Sequence, residues 1–221
     1  MRQHSKQVCA GLGTRFINYV KHLSTLSLIV FSVAGHTVTL EGLQEQLSSQ
    51  PIVRGHFTQL RSMEMLKAPL ESAGEFLLAK DMGLQWNQTA PFPVKLVLTE
   101  SKLSQQFGGG ETQIVDAEDN PMVFYFSHVF LSLFSGDTSE LNAQFDMSLS
   151  EADNSGGWTL VLTPKSAPLN AVFQTIELSG AQYINELTLN EVRGDKTEIT
   201  FFDQAAAEPV LTAEESRGFK I

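Results

Sequence analysis

A hydrolase, a metalloenzyme or a phosphate-binding protein each needs particular side chains at particular intervals, and this chain of 221 residues offers few of them. Beyond residue 34 the histidines are His36, His56 and His128, and none stands at a metal-ligand spacing from another His, a Cys or a carboxylate. Gly108-Gly109-Gly110-Glu111 precedes a strand-like run rather than a helix, so it reads as a hairpin turn and not as a phosphate loop. No Gly-x-Ser-x-Gly elbow occurs, and the acid pairs Glu151/Asp153 and Glu214/Glu215 read as solvated surface. The expectation is a protein that is not an enzyme and has no catalytic residues, no cofactor and no metal.

The more informative chemistry is apolar. From Asn120 to Gly136 the sequence predicts a helix, signed by Asn120 as N-cap, Pro121 at the first turn and Gly136 as its stop. At 100° per residue, Met122, Tyr125, Phe126, Val129, Phe130 and Leu133 share one wide apolar arc, while His128, Ser132 and Ser135 form a narrow uncharged sector. With Phe124 and Phe134 the stretch carries five aromatic residues, each worth roughly 1.5–3 kcal/mol on burial, so it must be received by a concave surface.

The elements around it are strands. Ile52–Met63, Glu71–Lys80, Gly83–Asn87, Val94–Glu100, Lys102–Phe107 and Thr112–Asp116 precede the helix. Ala143–Glu151, Trp158–Thr163, Ala171–Leu178, Tyr183–Val192 and Glu198–Phe202 follow it. Hairpin-length breaks and the lack of any βαβ alternation predict a mainly β fold, one curled antiparallel sheet of about eleven strands. A short amphipathic helix is expected at Thr37–Leu47, and the charged tail from Ala205 to Ile221 reads as loosely held. Two helices cannot cover eleven strands, which leaves room for an apolar cavity in the mouth of an incomplete barrel.

Length and composition fit a single domain at 35–221 behind a leader at 1–34. Residues 1–34 hold Arg2, Lys6, Arg15 and Lys21 and no acid, then the apolar run Leu23–Ala34, ending in Ser32-Val33-Ala34. This reads as a signal peptide cleaved after Ala34, with a retained anchor as the alternative, and predicts a periplasmic protein. The run is about 12 residues, short of the roughly 20 that span a bilayer. Cys9 lies upstream of it, so the processed chain would have no cysteine. Removing four bases takes the net charge from −10 to −14, which argues against nucleic acid as a partner.

The order of several short motifs resembles a known family. Val53-x-Gly55-x-Phe57-x-Gln59, Ser72-Ala73-Gly74-Glu75-Phe76, Leu84-Gln85-Trp86 and Pro91 occur in the first half. Leu133-Phe134-Ser135-Gly136-Asp137, Trp158–Leu162 with Pro164, Ile176–Gly180 and Gly194-Asp195-Lys196-Thr197-Glu198-Ile199-x-Phe201 occur in the second. Together they are similar to the LolA family of periplasmic outer-membrane lipoprotein carriers, over roughly Val38–Phe202.

The resemblance implies an incomplete β-barrel covered by helices, a monomer that takes the acyl chains of a lipoprotein from inner-membrane export machinery and delivers them to an outer-membrane acceptor. It implies a hollow for which Phe57, Leu96, Leu98, Phe126, Phe130, Trp158 and Leu160 are lining candidates. It also implies a lid at Met122–Phe134, with Gln85, Trp86, Phe124 and Phe134 as lid or latch residues. Family carriers have an arginine before the tryptophan matched to Trp86, and that arginine latches the lid; Gln85 stands in its place as a weaker, uncharged donor. A paralogue carrying another acylated lipid or a lipid-like pigment precursor fits the same pattern. So does a structural or interaction module with a dry core and no ligand.

Overall fold

Alternating apolar and polar residues become strands at eleven places in the computed structural model, which describes residues 38–119, 124, 131–132, 138–152, 156–205 and 210–221. They are β1 (Ile52–Ser62), β2 (Leu70–Ala79), β3 (Gly83–Ala90), β4 (Val94–Leu98), β5 (Lys102–Phe107) and β6 (Thr112–Asp116). The second group is β7 (Phe145–Glu151), β8 (Trp158–Pro164), β9 (Phe173–Gly180), β10 (Ile184–Glu191) and β11 (Lys196–Ala205). Each begins or ends within about three residues of its sequence expectation, because period-two alternation is a local signal.

All eleven strands pair antiparallel in one sheet, in the order β6-β5-β4-β3-β2-β1-β11-β10-β9-β8-β7. Two meanders are therefore joined where the first strand meets the last, with Phe57 opposite Phe201 and Gln59 opposite Ile199. The edges β6 and β7 do not pair with each other, so the sheet curls without closing into a barrel. The connection between those edges is 117–144, the stretch that contains the apolar segment.

Helix α1 (Leu40–Ser48) starts after Thr39, whose hydroxyl accepts from the Gly42 N–H at 3.0 Å, and so begins three residues later than expected. Leu43 and Leu47 on its inner side are buried. Two polar contacts hold the helix near one end of the sheet: the Val38 N–H donates to Glu151 Oε1, and Gln46 Nε2 donates to the Ala181 carbonyl. Helix α2 (Thr138–Gln144) was not anticipated and leads directly into β7. Most of the expected helix at 120–136, with Phe126, Phe130 and Phe134, lies outside the described residues. Phe124, Leu131 and Ser132 are helical, and Phe124 and Ser132 are buried.

The expectation of a loose tail is corrected. Helix α3 (Ala213–Gly218) lies against the outer face of the sheet, where Phe219 is buried with Ile52, Leu77 and Ala79 in a second, smaller core. Thr212 and Glu215 form a reciprocal capping box, the Thr212 hydroxyl accepting from the Glu215 N–H and the Glu215 carboxylate from the Thr212 N–H. The tail is charged because its outer side is solvated; two apolar residues, Leu211 and Phe219, suffice to dock it.

Candidate functional site

The concave face is built by alternate residues of every strand, and it divides into a filled half and an open half. Over β7–β9 it is filled: Leu160 is buried and borders a gap of only about 10 Å³ shared with Leu40, Leu43, Leu47, Ser132 and Leu141. Trp158 is also buried there, its indole N–H donating to the Ala181 carbonyl at 2.8 Å. Both were lining candidates, and Leu160 packs among residues supplied by the helices.

Over β3, β4, β10 and β11 the same face borders an open hollow of about 390 Å³. Trp86 and Leu96, directly opposite each other on β3 and β4, form one wall with Leu84 and Leu98. Leu187, Leu189, Ile199 and Phe201 form the other. Phe57 is fully buried beside it and stacks on Trp86, with ring centroids 3.5 Å apart, while Phe201 meets Trp86 edge-on. This stacked cluster props the Trp86 ring against the hollow instead of letting it collapse inward. Of the sequence candidates, the structure brings Trp86, Leu96 and Leu98 together on the hollow, with Phe57 behind them.

At one end of the hollow the lining turns polar at Gln59, Arg61, Glu191 and Thr197. Arg61 Nη2 lies 3.4 Å from Glu191 Oε1 and 3.9 Å from Asp195 Oδ2. Its Nε is buried and has no hydrogen-bond acceptor among the described residues. A buried donor left in this state is costly unless something brings an oxygen to it.

The described contacts of Gln85 lie with the C-terminal helix. Strand alternation puts it on the face opposite Trp86, where its side-chain amide donates to the Glu215 carbonyl of α3 at 2.8 Å. Gly218 makes that approach possible, since a Cβ there would meet the Gln85 amide at 2.7 Å. Beside it, Arg54 forms a two-pronged pair with the Glu215 carboxylate, Nε to Oε1 at 2.6 Å and Nη2 to Oε2 at 2.8 Å. That hydrogen-bonded cation holds the Glu215 carboxyl at about 2, against an opposing push from burial and with help from Thr212. The latch-like polar contacts at this position secure the C-terminal helix to the outer face.

A wider groove of about 690 Å³ crosses the outer face near Thr58, Leu60, Glu71, Ala73 and Thr200. It runs between strand side chains, six of its ten lining residues polar. His56 lies 3.8 Å from Glu75 and 4.0 Å from Asp203, also on the outer face and away from the hollow. Among the described residues no three His, Cys, Asp or Glu side chains gather as metal ligands.

Residues 48–214 match the model of the family described as outer membrane lipoprotein carrier protein LolA. The chain belongs to the LolA family. Solved structures similar to it include a LolA superfamily protein from Nitrosomonas europaea, at 9% identity and TM-score 0.44, covering 80% of this chain and 96% of that one. A domain described as an outer membrane lipoprotein-sorting protein from Vibrio parahaemolyticus gives 7% identity and TM-score 0.45, covering 80% and 96%. The MucA/MucB complex of Pseudomonas aeruginosa gives 16% identity and TM-score 0.36, covering 78% of this chain and 59% of that one. No curated protein matches the chain in sequence.

The sequence reading missed Leu187, Leu189, Ile199 and Phe201 as lining residues. Their alternation was visible, but their place opposite Trp86 and Leu96 follows from the pairing of β1 with β11, which joins residues some 140 positions apart.

Proposed function

We propose that this LolA-family protein is a non-enzymatic periplasmic carrier that holds an acyl chain in the hollow between Trp86 and Leu96 on one wall and Leu187 and Ile199 on the other. The observation that carries the reading is an apolar space of about 390 Å³ left open inside an otherwise well-packed concave face. A methylene occupies about the volume of a water molecule, roughly 30 Å³, so the hollow suits one chain of about a dozen carbons. At about 0.8 kcal/mol per methylene, burying such a chain gives on the order of 10 kcal/mol before ordering costs, enough to keep it out of water.

The buried Nε of Arg61 adds a polar anchor at the end of this space. An ester or amide carbonyl of an acylated cargo would supply the missing acceptor, and its neutral oxygen suits a site already occupied by Glu191 and Asp195. Lipoproteins meet this description, as do other acylated lipids. In this reading loading comes from inner-membrane machinery and delivery goes to an outer-membrane acceptor, which family membership supports, and the basic then apolar pattern of residues 1–34 supports their removal on export.

The test is saturable binding of a fluorescent fatty-acyl amide to delipidated protein, together with native mass spectrometry of protein purified from its own periplasm. Leu96→Trp, which fills the hollow, should abolish binding while the thermal unfolding midpoint is kept. Arg61→Met should weaken the acyl amide more than a plain alkane probe. No saturable binding and no co-purifying lipid would reject the carrier reading in favour of a dry structural module.

A further inference from the structure

One end of the half-barrel carries a fringe of exposed apolar tips whose position follows from strand register alone. The pairs Arg61/Leu70, Gln88/Val94, Gln106/Thr112 and Asn190/Lys196 place the β1–β2, β3–β4, β5–β6 and β10–β11 turns at the same end. In the sheet these turns are consecutive, each two strands from the next, so they form a row at intervals of about 10 Å.

Each turn presents large apolar side chains to solvent. Met65 is 85% exposed and Phe92 74%, and Leu66, Leu70, Phe107 and Val192 are also exposed. These six account for most of the nine exposed large apolar residues among the described ones. Nothing about folding explains them, because turns are ordinarily polar and these side chains contribute to neither core.

Charge separates this end from the other. Segments 62–71, 89–95, 106–112, 138–145, 164–173 and 191–196 hold five bases, from Lys67 to Lys196, against six acids, from Glu64 to Asp195. At the opposite end, segments 80–82, 98–102, 116–119, 151–152, 180–184 and 203–205 hold two bases, Lys80 and Lys102, against seven acids. Among the described residues the two ends are therefore unequal in charge, with the apolar tips on the nearly neutral end.

We propose that this end docks on a lipid bilayer, the tips Met65, Leu66, Phe92, Phe107 and Val192 entering the headgroup boundary while the acidic end points away. Separate tips spaced along a row and interleaved with lysines suit an interface that is fluid and laterally uniform; a protein partner would favour one continuous apolar patch. The basic side chains beside the tips can extend toward the headgroups. The apolar tips set the orientation on any bilayer, and the seven acids of the far end keep that end in water. Arg61, Glu191 and Thr197, which border the hollow, sit at this same end, so docking would bring its polar mouth to the membrane. The fringe stands on its own observations and does not depend on what the hollow binds.

The test uses the full chain with Cys9→Ser and a single new cysteine, Phe92→Cys at the fringe or Asp81→Cys at the far end, each labelled with an environment-sensitive dye. On mixing with phosphatidylcholine vesicles, the label at residue 92 should shift to the blue and the label at residue 81 should not. Replacing Met65 and Phe107 together by Ser should lower partitioning about tenfold with an unchanged melting curve. Absence of a shift at residue 92, or equal shifts at both labels, overturns the proposal. So does a shift that grows with protein concentration without vesicles, which would assign the fringe to a second copy of this chain. Binding that requires anionic lipid would also overturn it, because the charge distribution predicts none.

Discussion

Replacing Glu215 by Gln tests the clamp that binds the C-terminal helix to the sheet, and its size can be worked from the geometry. The carboxylate receives Arg54 at 2.6 and 2.8 Å and the Thr212 N–H at 2.7 Å, which holds its carboxyl at about 2 against an ordinary 4.5. At about 1.4 kcal/mol per tenfold difference, that displacement bounds the stabilisation at roughly 3.5 kcal/mol. The two side chains are 26% and 22% exposed, so screening by solvent lowers the expected coupling to about 1–2 kcal/mol. A carboxyl held below its ordinary value stabilises the folded state above about 4.5, and that contribution is lost as the pH falls through about 2. The assay is a double-mutant cycle of Glu215→Gln and Arg54→Gln, read by hydrogen exchange at residues 213–220 and by urea unfolding between pH 7 and pH 2.5. Parent protein should lose protection of α3 progressively below pH 4.5, while Glu215→Gln starts lower and stays flat. Additive single substitutions at pH 7, or a coupling that does not change with pH, would refute the clamp.

Three further outcomes are expected. Phe219→Ala should cost about 3–5 kcal/mol by urea unfolding, since Phe219 fills the second core with Ile52, Leu77 and Ala79. Gly83→Ala should cost about 1–3 kcal/mol or prevent folding, because Gly83 has φ +122° and a Cβ there would collide with the Leu98 carbonyl of the next strand. N-terminal sequencing of the protein recovered from the periplasm should begin at Gly35; a start at Met1 would favour the retained anchor.

The strands were legible because each is encoded by its own neighbours. Trp158-Thr159-Leu160-Val161-Leu162 alternates whatever the rest of the chain does, and burial follows that alternation. The turn positions were legible for the same reason, as at Gly108–Gly110 and Gly194. The second core was not legible. In β2 the run Phe76-Leu77-Leu78-Ala79 is apolar on both faces, and that break in alternation was the available signal that something covers the outside as well. Which segment covers it, the tail carrying Phe219, is a contact across more than 130 residues and leaves no local trace. Gln85 shows the same limit: its neighbour Trp86 faces the hollow, so alternation had already turned Gln85 outward, toward a helix the sequence did not announce.

The sequence by itself determined eleven strands, their approximate ends, the apolar character of the segment at 120–136 and membership of a recognisable family, because all of these reside in local periodicity and motif order. Only the tertiary structure decided which strands flank the open half of the concave face, that Trp158 and Leu160 belong to its filled half, and that Leu187 and Ile199 stand across from Leu96. Those facts depend on β1 pairing with β11 and on where the helices run out, and such pairings join residues too far apart in the chain for any local pattern to record.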